Sequence, residues 1–123
     1  MRGYDADMSI NGSSDPLGPA ELFIDLTETG TGVRVIVTGE IDMSTADGLR
    51  DSLMDATRRA GVVEVDMSGV EFMDSRGTRA LVEAWAAVRS TGSFSVVDAS
   101  EKARQLLRTT GLDVTFNLPS HWG

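Results

Sequence analysis

The hydrophobic pattern of this chain switches between two periods, and this switching restricts the possible fold more than any other feature. From Leu22 to Leu26 and from Val33 to Val37 every second residue is aliphatic, which is the period of a β-strand. Beyond Ile41 the spacing becomes that of an amphipathic helix, with one apolar stripe made of Ala46, Leu49, Leu53, Ala56 and Ala60. Strands that alternate with helices need crossover connections, so the later strands are predicted to be parallel.

Turn and cap signals set the limits of the first elements. The segment from Glu28 to Gly32 is a short, glycine-containing connection, so the two strands beside it should pair antiparallel. The first helix is predicted from Thr45 to Ala60, with Ser44 and Asp47 at capping-box spacing and Gly61 as its terminator.

The rest of the chain repeats the strand and helix pattern. In order, we predict a strand over Val62 to Met67, a helix marked by Leu81, Ala84, Trp85 and Val88, a strand over Phe94 to Val97, a helix that begins at the cap Ser100 and ends at Gly111, and a short strand over Val114 to Asn117. The predicted fold is therefore α/β, with a mixed, mainly parallel sheet and helices layered on it.

The organisation along the chain is that of one domain. Residues 1–19 are rich in Gly, Ser, Asp and Pro and show no apolar periodicity, so we expect a disordered leader. Residues 20–118 carry the whole strand and helix pattern, and residues 119–123 form a short tail. A chain of 123 residues is long enough for one core without disulfides.

Composition excludes several functional classes. Nineteen acidic and eleven basic residues give a net charge of -8, which argues against nucleic acid binding and favours solubility or a basic protein partner. Cysteine is absent, so no disulfide or thiolate metal site is expected, and the cytoplasm is the default location. The apolar runs are too short for a signal peptide or a membrane span, so we expect no membrane insertion.

Enzyme motifs are also missing. The segment Met73 to Gly77 lacks the first glycine of a nucleophile elbow, and the only histidine, His121, lies in the tail. The chain contains no phosphate-cradling glycine-rich motif and no spacing typical of metal ligands. We therefore expect a binding protein that has no catalytic residues, cofactor or metal.

Ser75 lies where the third predicted strand leads into the second helix. Its hydroxyl could cap that helix, or it could point outward beside free backbone donors and the positive end of the helix dipole. The second placement suits a phosphorylation switch. Asp74 could be an alternative cap or could orient the serine.

Three segments carry a family resemblance. The Gly39-Glu-Ile-Asp42 strand end, the block from Asp66 to Gly77 and the Thr-Gly-Leu after the third helix together resemble STAS domains of anti-sigma factor antagonists, over roughly a hundred residues. The resemblance implies that Ser75, in Asp74-Ser75-Arg76-Gly77, is phosphorylated by a partner serine kinase. It also implies that Asp42 helps to form the partner surface.

The resemblance implies a switchable antagonist. Unmodified, it would bind an anti-sigma factor kinase and release a sigma factor; phosphorylation would reverse binding, and a serine phosphatase would restore it. The predicted partner surface consists of Asp42, Met43, Ser44, Asp74, Arg76, Gly77, Arg79 and Glu83. The family usually has a small residue where this chain has Arg76. That difference leaves open an alternative, a non-switching STAS subunit of a signalling scaffold or of a lipid transport complex.

Overall fold

The structure, a computed structural model, describes residues 20–119. The predicted leader (residues 1–19) and the tail beyond Pro119 lie outside this range. The elements are, in chain order, β1 Leu22–Glu28, β2 Val33–Ile41, α1 Ala46–Arg59, β3 Val62–Met73, α2 Ser75–Val88, β4 Ser93–Ala99, α3 Glu101–Thr109 and α4 Leu112–Thr115. Of the helices in residues 20–119, none is both long and apolar enough to cross a membrane.

The four strands form one sheet in the order β1-β2-β3-β4. β1 pairs antiparallel with β2, while β2 with β3 and β3 with β4 are parallel. The hairpin between β1 and β2 closes at Thr29, whose N–H donates to the carbonyl of Gly32 over 2.8 Å. The predicted fold class, a mixed and mainly parallel sheet with helices, is confirmed.

The core lies between the sheet and the helices, and it includes the fully buried Leu107 of α3 as well as residues of the first two helices. Val35 of β2 and Val65 of β3 are paired and fully buried, as the period of two predicts. Leu53 of α1 and Leu81 of α2 are also fully buried and belong to the same apolar cluster. α1 and α2 follow successive parallel strands and pack against each other, as right-handed crossovers require.

β3 extends well beyond its predicted end at Met67. Residues 68–73, expected to form a turn, continue the pairing with β2, and Thr38 lies opposite Gly69. The pairing continues through two register shifts, and Gly39 accommodates the irregular backbone with a positive φ of 114°. Gly69 allows a close approach to Thr38, because an added Cβ would lie 3.1 Å from the threonine Oγ1. These irregularities hide the strand from a search for strict alternation.

The predicted last strand, Val114 to Asn117, is wrong. This segment lies in and just after the short helix α4, which begins after a left-handed turn at Gly111. Phe116 is fully buried and packs edge-to-face on Phe94, with 5.6 Å between the ring centroids. Its carbonyl accepts a hydrogen bond from Val96 N–H of β4 over 2.9 Å. Burial of one phenyl ring therefore overrides the local preference of β-branched residues for strand.

The predicted helix caps have different outcomes. Ser100 caps α3 as expected, and its hydroxyl accepts from Ala103 N–H over 3.2 Å. The capping box of α1 is wrong, because its N-cap is Thr45 and no side chain caps it. Ser44 bonds instead to a carboxylate two residues before it.

Truncation of either central leucine tests this packing. We expect Leu53→Ala and Leu81→Ala each to lower the free energy of unfolding by about 2–5 kcal/mol, because each leaves a cavity between sheet and helices. Gln105→Ala, on the exposed side of α3, is the control and should stay within about 0.5 kcal/mol of wild type. Urea denaturation measures all three, and equal losses would contradict the core described above.

Candidate functional site at the ends of β2 and β3

The carboxyl ends of β2 and β3 meet at one edge of the sheet. Ile41 is the register partner of Met73, and Asp74 N–H donates to the carbonyl of Ile41 over 3.2 Å. Asp42 and Ser75 directly follow these two segments, so they lie at the same edge, as predicted. Ligands of open α/β sheets bind at such an edge.

Ser75 is the first residue of α2 and is exposed. The cap of this helix is Asp74, whose carboxylate accepts from Arg76 N–H over 2.9 Å. The interpretation of Asp74 as an alternative cap is thus confirmed, and Ser75 does not fill that role. Within residues 20–119, no side chain or backbone group is hydrogen bonded to the Ser75 hydroxyl. That oxygen therefore faces solvent at the positive end of the helix dipole.

Gly77 and Thr78 anchor the first turn of α2. A Cβ on Gly77 would lie 2.9 Å from both Ile41 Cγ2 and Met73 Cγ, so the glycine allows the helix to pack closely on the two strand ends. The buried Thr78 hydroxyl donates to the carbonyl of Ser75 over 2.7 Å. Gly77 is itself buried and positions the first turn of α2, and its place in the partner surface stays a prediction.

Asp42 organises the turn before α1. Its carboxylate accepts from both the N–H and the hydroxyl of Ser44, over 2.8 and 2.7 Å. The hydroxyl bond is the main reason why the pKa of Asp42 lies below its ordinary value. Thr45 completes the turn, because its hydroxyl accepts from Asp42 N–H and donates to the Glu40 carbonyl. Asp42 is therefore a structural acid as well as part of the surface.

A groove of about 640 Å³ runs between α1 and α2 beside this edge. It is lined by Met43, Ala46, Asp47, Arg50, Asp51, Arg76, Arg79, Ala80 and Glu83. Met43 is 73% exposed and is one of several large apolar side chains at the surface. The surface predicted from the sequence includes Met43, Arg76, Arg79 and Glu83 but omits the contribution of α1. The only signal was that Asp47, Arg50 and Asp51 lie off the apolar stripe of that helix.

Ion pairs connect the two sides of the groove. Glu83 of α2 accepts a hydrogen bond from Arg50 Nε of α1 over 2.6 Å, and this bond raises the pKa of Arg50 above its already high ordinary value. Arg79 Nε approaches the other oxygen of Glu83 only to 3.8 Å. Arg76 pairs with the capping residue, Asp74, over 3.3 Å. Each of the three arginines thus contacts an acid, but at very different distances.

Comparison with known proteins identifies the family. The family model described as "Mlab, STAS domain" matches residues 24–119, which is most of the chain. The chain therefore belongs to the STAS domain family, and the resemblance seen in the sequence is confirmed.

Its relatives are named as anti-sigma factor antagonists. The anti-sigma-F factor antagonist RsfB of Mycobacterium tuberculosis is 32% identical over 89 residues, which are 71% of this chain and 73% of the relative. The anti-sigma-B factor antagonist of Bacillus subtilis is 28% identical over 72% of this chain and 83% of its own length. The crystal structure of an anti-sigma factor antagonist from Mycobacterium paratuberculosis has a TM-score of 0.75 at 28% identity, covering 83% of this chain and 88% of that one.

The lowered pKa of Asp42 predicts how its contribution to stability depends on pH. A carboxyl with a lowered folded pKa stabilises the fold above its unfolded pKa of about 3.9, and this contribution is lost as the pH falls through the folded pKa. We expect Asp42→Asn to be less stable than wild type at pH 7, with the difference shrinking below about pH 4. Thermal melts across this range measure it.

The Ser44→Ala background provides the control for that titration. Because Ser44 supplies the bonds that lower the pKa, the effect of Asp42→Asn should be smaller in this background. A difference between wild type and Asp42→Asn that stays constant from pH 7 to pH 3 would contradict the prediction.

Proposed function

We propose that this protein is an anti-sigma factor antagonist that binds an anti-sigma factor serine kinase and is controlled by phosphorylation of Ser75. The observation that carries the proposal is the exposed Ser75 hydroxyl at the start of α2. It is not hydrogen bonded to any group within residues 20–119, because Asp74 caps the helix. The names of the relatives support the antagonist role. Binding of the kinase would free the sigma factor that it holds, and a serine phosphatase would reset the switch.

The position of Ser75 suits a switch that leaves the fold intact. Transfer of the γ-phosphoryl group of ATP to Ser75 Oγ would release ADP and the hydroxyl proton. The phosphate would bring a charge of about -1.5 to -2 beside the Asp74 carboxylate. The helix dipole offsets part of this repulsion, by about 0.3–1 kcal/mol. Because the hydroxyl makes no hydrogen bond to any of residues 20–119, its modification should change the surface and not the packing of the described domain.

The partner surface comprises Met43, the groove between α1 and α2, and the turns around Asp42 and Ser75. An exposed apolar side chain surrounded by paired charges is typical of a protein interface with a polar rim. The net charge of -8 favours a partner with a basic face. We propose a regulatory role without catalysis, exercised in the cytoplasm, where such a kinase would find its ATP.

Phosphate mapping tests the modified residue. Incubation with candidate anti-sigma factor kinases and ATP should place phosphate on Ser75, and Ser75→Ala should abolish the transfer. Ser90→Ala, an exposed serine just after α2, is the matched control and should leave it unchanged. Mass spectrometry of the digested protein gives the position. Transfer that survives in Ser75→Ala would refute the assignment.

Binding measurements test the switch itself. We expect Ser75→Ala to retain affinity for the kinase and Ser75→Asp to lose about 2–5 kcal/mol of binding energy, since a charge would enter a desolvated interface. Stability should change by only about 0.5 kcal/mol in either variant, because Asp74 provides the cap.

Titration calorimetry on both variants and on enzymatically phosphorylated wild type measures these affinities. Aspartate carries one charge, so the phosphorylated protein should bind more weakly than Ser75→Asp. Equal affinity of the unmodified and phosphorylated proteins would instead favour a non-switching subunit of a scaffold or lipid transport complex.

A further inference from the structure

The three arginines of the groove differ in how firmly they are held. Arg50 Nε lies 2.6 Å from a Glu83 oxygen, which is a strong charge-assisted hydrogen bond. Arg76 pairs with Asp74 over 3.3 Å. Arg79 has only the 3.8 Å contact with Glu83, and its side chain is 84% exposed. Arg79 is therefore the least firmly held of these three arginines.

Helix geometry places Arg79 within reach of Ser75. The two residues are four positions apart on α2, so their side chains lie on the same face of the helix. Helical side chains lean towards the N-terminus, and Ser75 is the first residue of this helix. Arg79 now contacts Glu83, which lies in the opposite direction along the helix. A stronger acceptor on Ser75 would compete with Glu83 for the Arg79 guanidinium, and it would do so from the N-terminal side, towards which helical side chains lean.

We propose that Arg79 binds the phosphate of phosphorylated Ser75 within the same chain and gives up its contact with Glu83. This inference rests on the proposed modification of Ser75. A phosphate has three acceptor oxygens and about twice the charge of a carboxylate, so it can hold the guanidinium fork through two hydrogen bonds. The Arg79–Glu83 contact that the phosphate would replace is long and exposed, and Glu83 keeps its short hydrogen bond with Arg50.

The exchange changes the groove as well as the serine. Arg79 lines the groove in the unmodified protein, and its movement would leave Glu83 neutralised by Arg50 alone. A partner would then meet a new dianion at the edge and a less basic groove at the same time. Arg79 would also reduce the repulsion between the phosphate and Asp74. The contribution of Arg76 is smaller, because Asp74 already engages its guanidinium.

Phosphoserine incorporated at position 75 during translation tests this without any kinase. The second pKa of the phosphate, followed by phosphorus NMR, falls when a cation stabilises the dianion. We expect Arg79→Gln to raise this pKa by about half a unit relative to the phosphorylated wild type. Arg58→Gln, which removes a similar exposed contact of 3.8 Å on α1, is the matched control and should leave it unchanged.

Two results would overturn the proposal. One is the same second pKa in the wild type and in Arg79→Gln; the other is a larger shift in Arg76→Gln than in Arg79→Gln. Circular dichroism of each variant verifies that it is folded. The outcome is separable from that of the proposed function, since a kinase that fails to modify Ser75 refutes the proposed function and leaves the measured contact with Arg79 unaffected.

Discussion

The close contact of α2 with the ends of β2 and β3 is the constraint on which the rest of the surface depends. Gly77 brings the helix backbone against Ile41 and Met73, and Asp74 N–H bonds to the Ile41 carbonyl. A Cβ at position 77 would lie 2.9 Å from Ile41 Cγ2 and from Met73 Cγ, so these side chains or the helix would have to shift. Because Ser75 lies between these two anchored residues, its place at the sheet edge follows from packing and not from any bond of its own.

The first turn of α2 separates stability from regulation. Asp74 accepts from a free backbone N–H and Thr78 donates to the Ser75 carbonyl, while no group within residues 20–119 is hydrogen bonded to the Ser75 hydroxyl. A residue that both capped the helix and accepted phosphate would couple modification to unfolding, since caps contribute about 1 kcal/mol. With these roles on different residues, a charge at Ser75 alters what a partner meets while the core of the domain stays the same.

The neighbouring helix makes this surface larger and electrostatically connected. Glu83 contacts both Arg50 of α1 and Arg79 of α2, so a change in the pairing of Arg79 alters the charge balance around Glu83 in the groove. Asp42 holds the turn through which the chain enters α1 by its two bonds to Ser44, and the exposed Met43 lies in that turn. The surface proposed for partner binding is thus a set of linked ion pairs and one apolar contact, rather than a single residue.

The sequence by itself determined the order of the elements as far as α3, the buried stripes and the position of Ser75 between β3 and α2. These follow from local periodicity: Val35, Leu53 and Leu81 could be assigned to the core because their spacing matches a strand or a helix. Only the tertiary structure decided that Asp74 is the cap, that β3 continues to Met73, that Phe116 turns the last predicted strand into a helix, and that α1 lines the groove. Most of these depend on contacts between residues far apart in the chain. The cap depends on the backbone geometry at the start of α2, which decides between the adjacent side chains of Asp74 and Ser75.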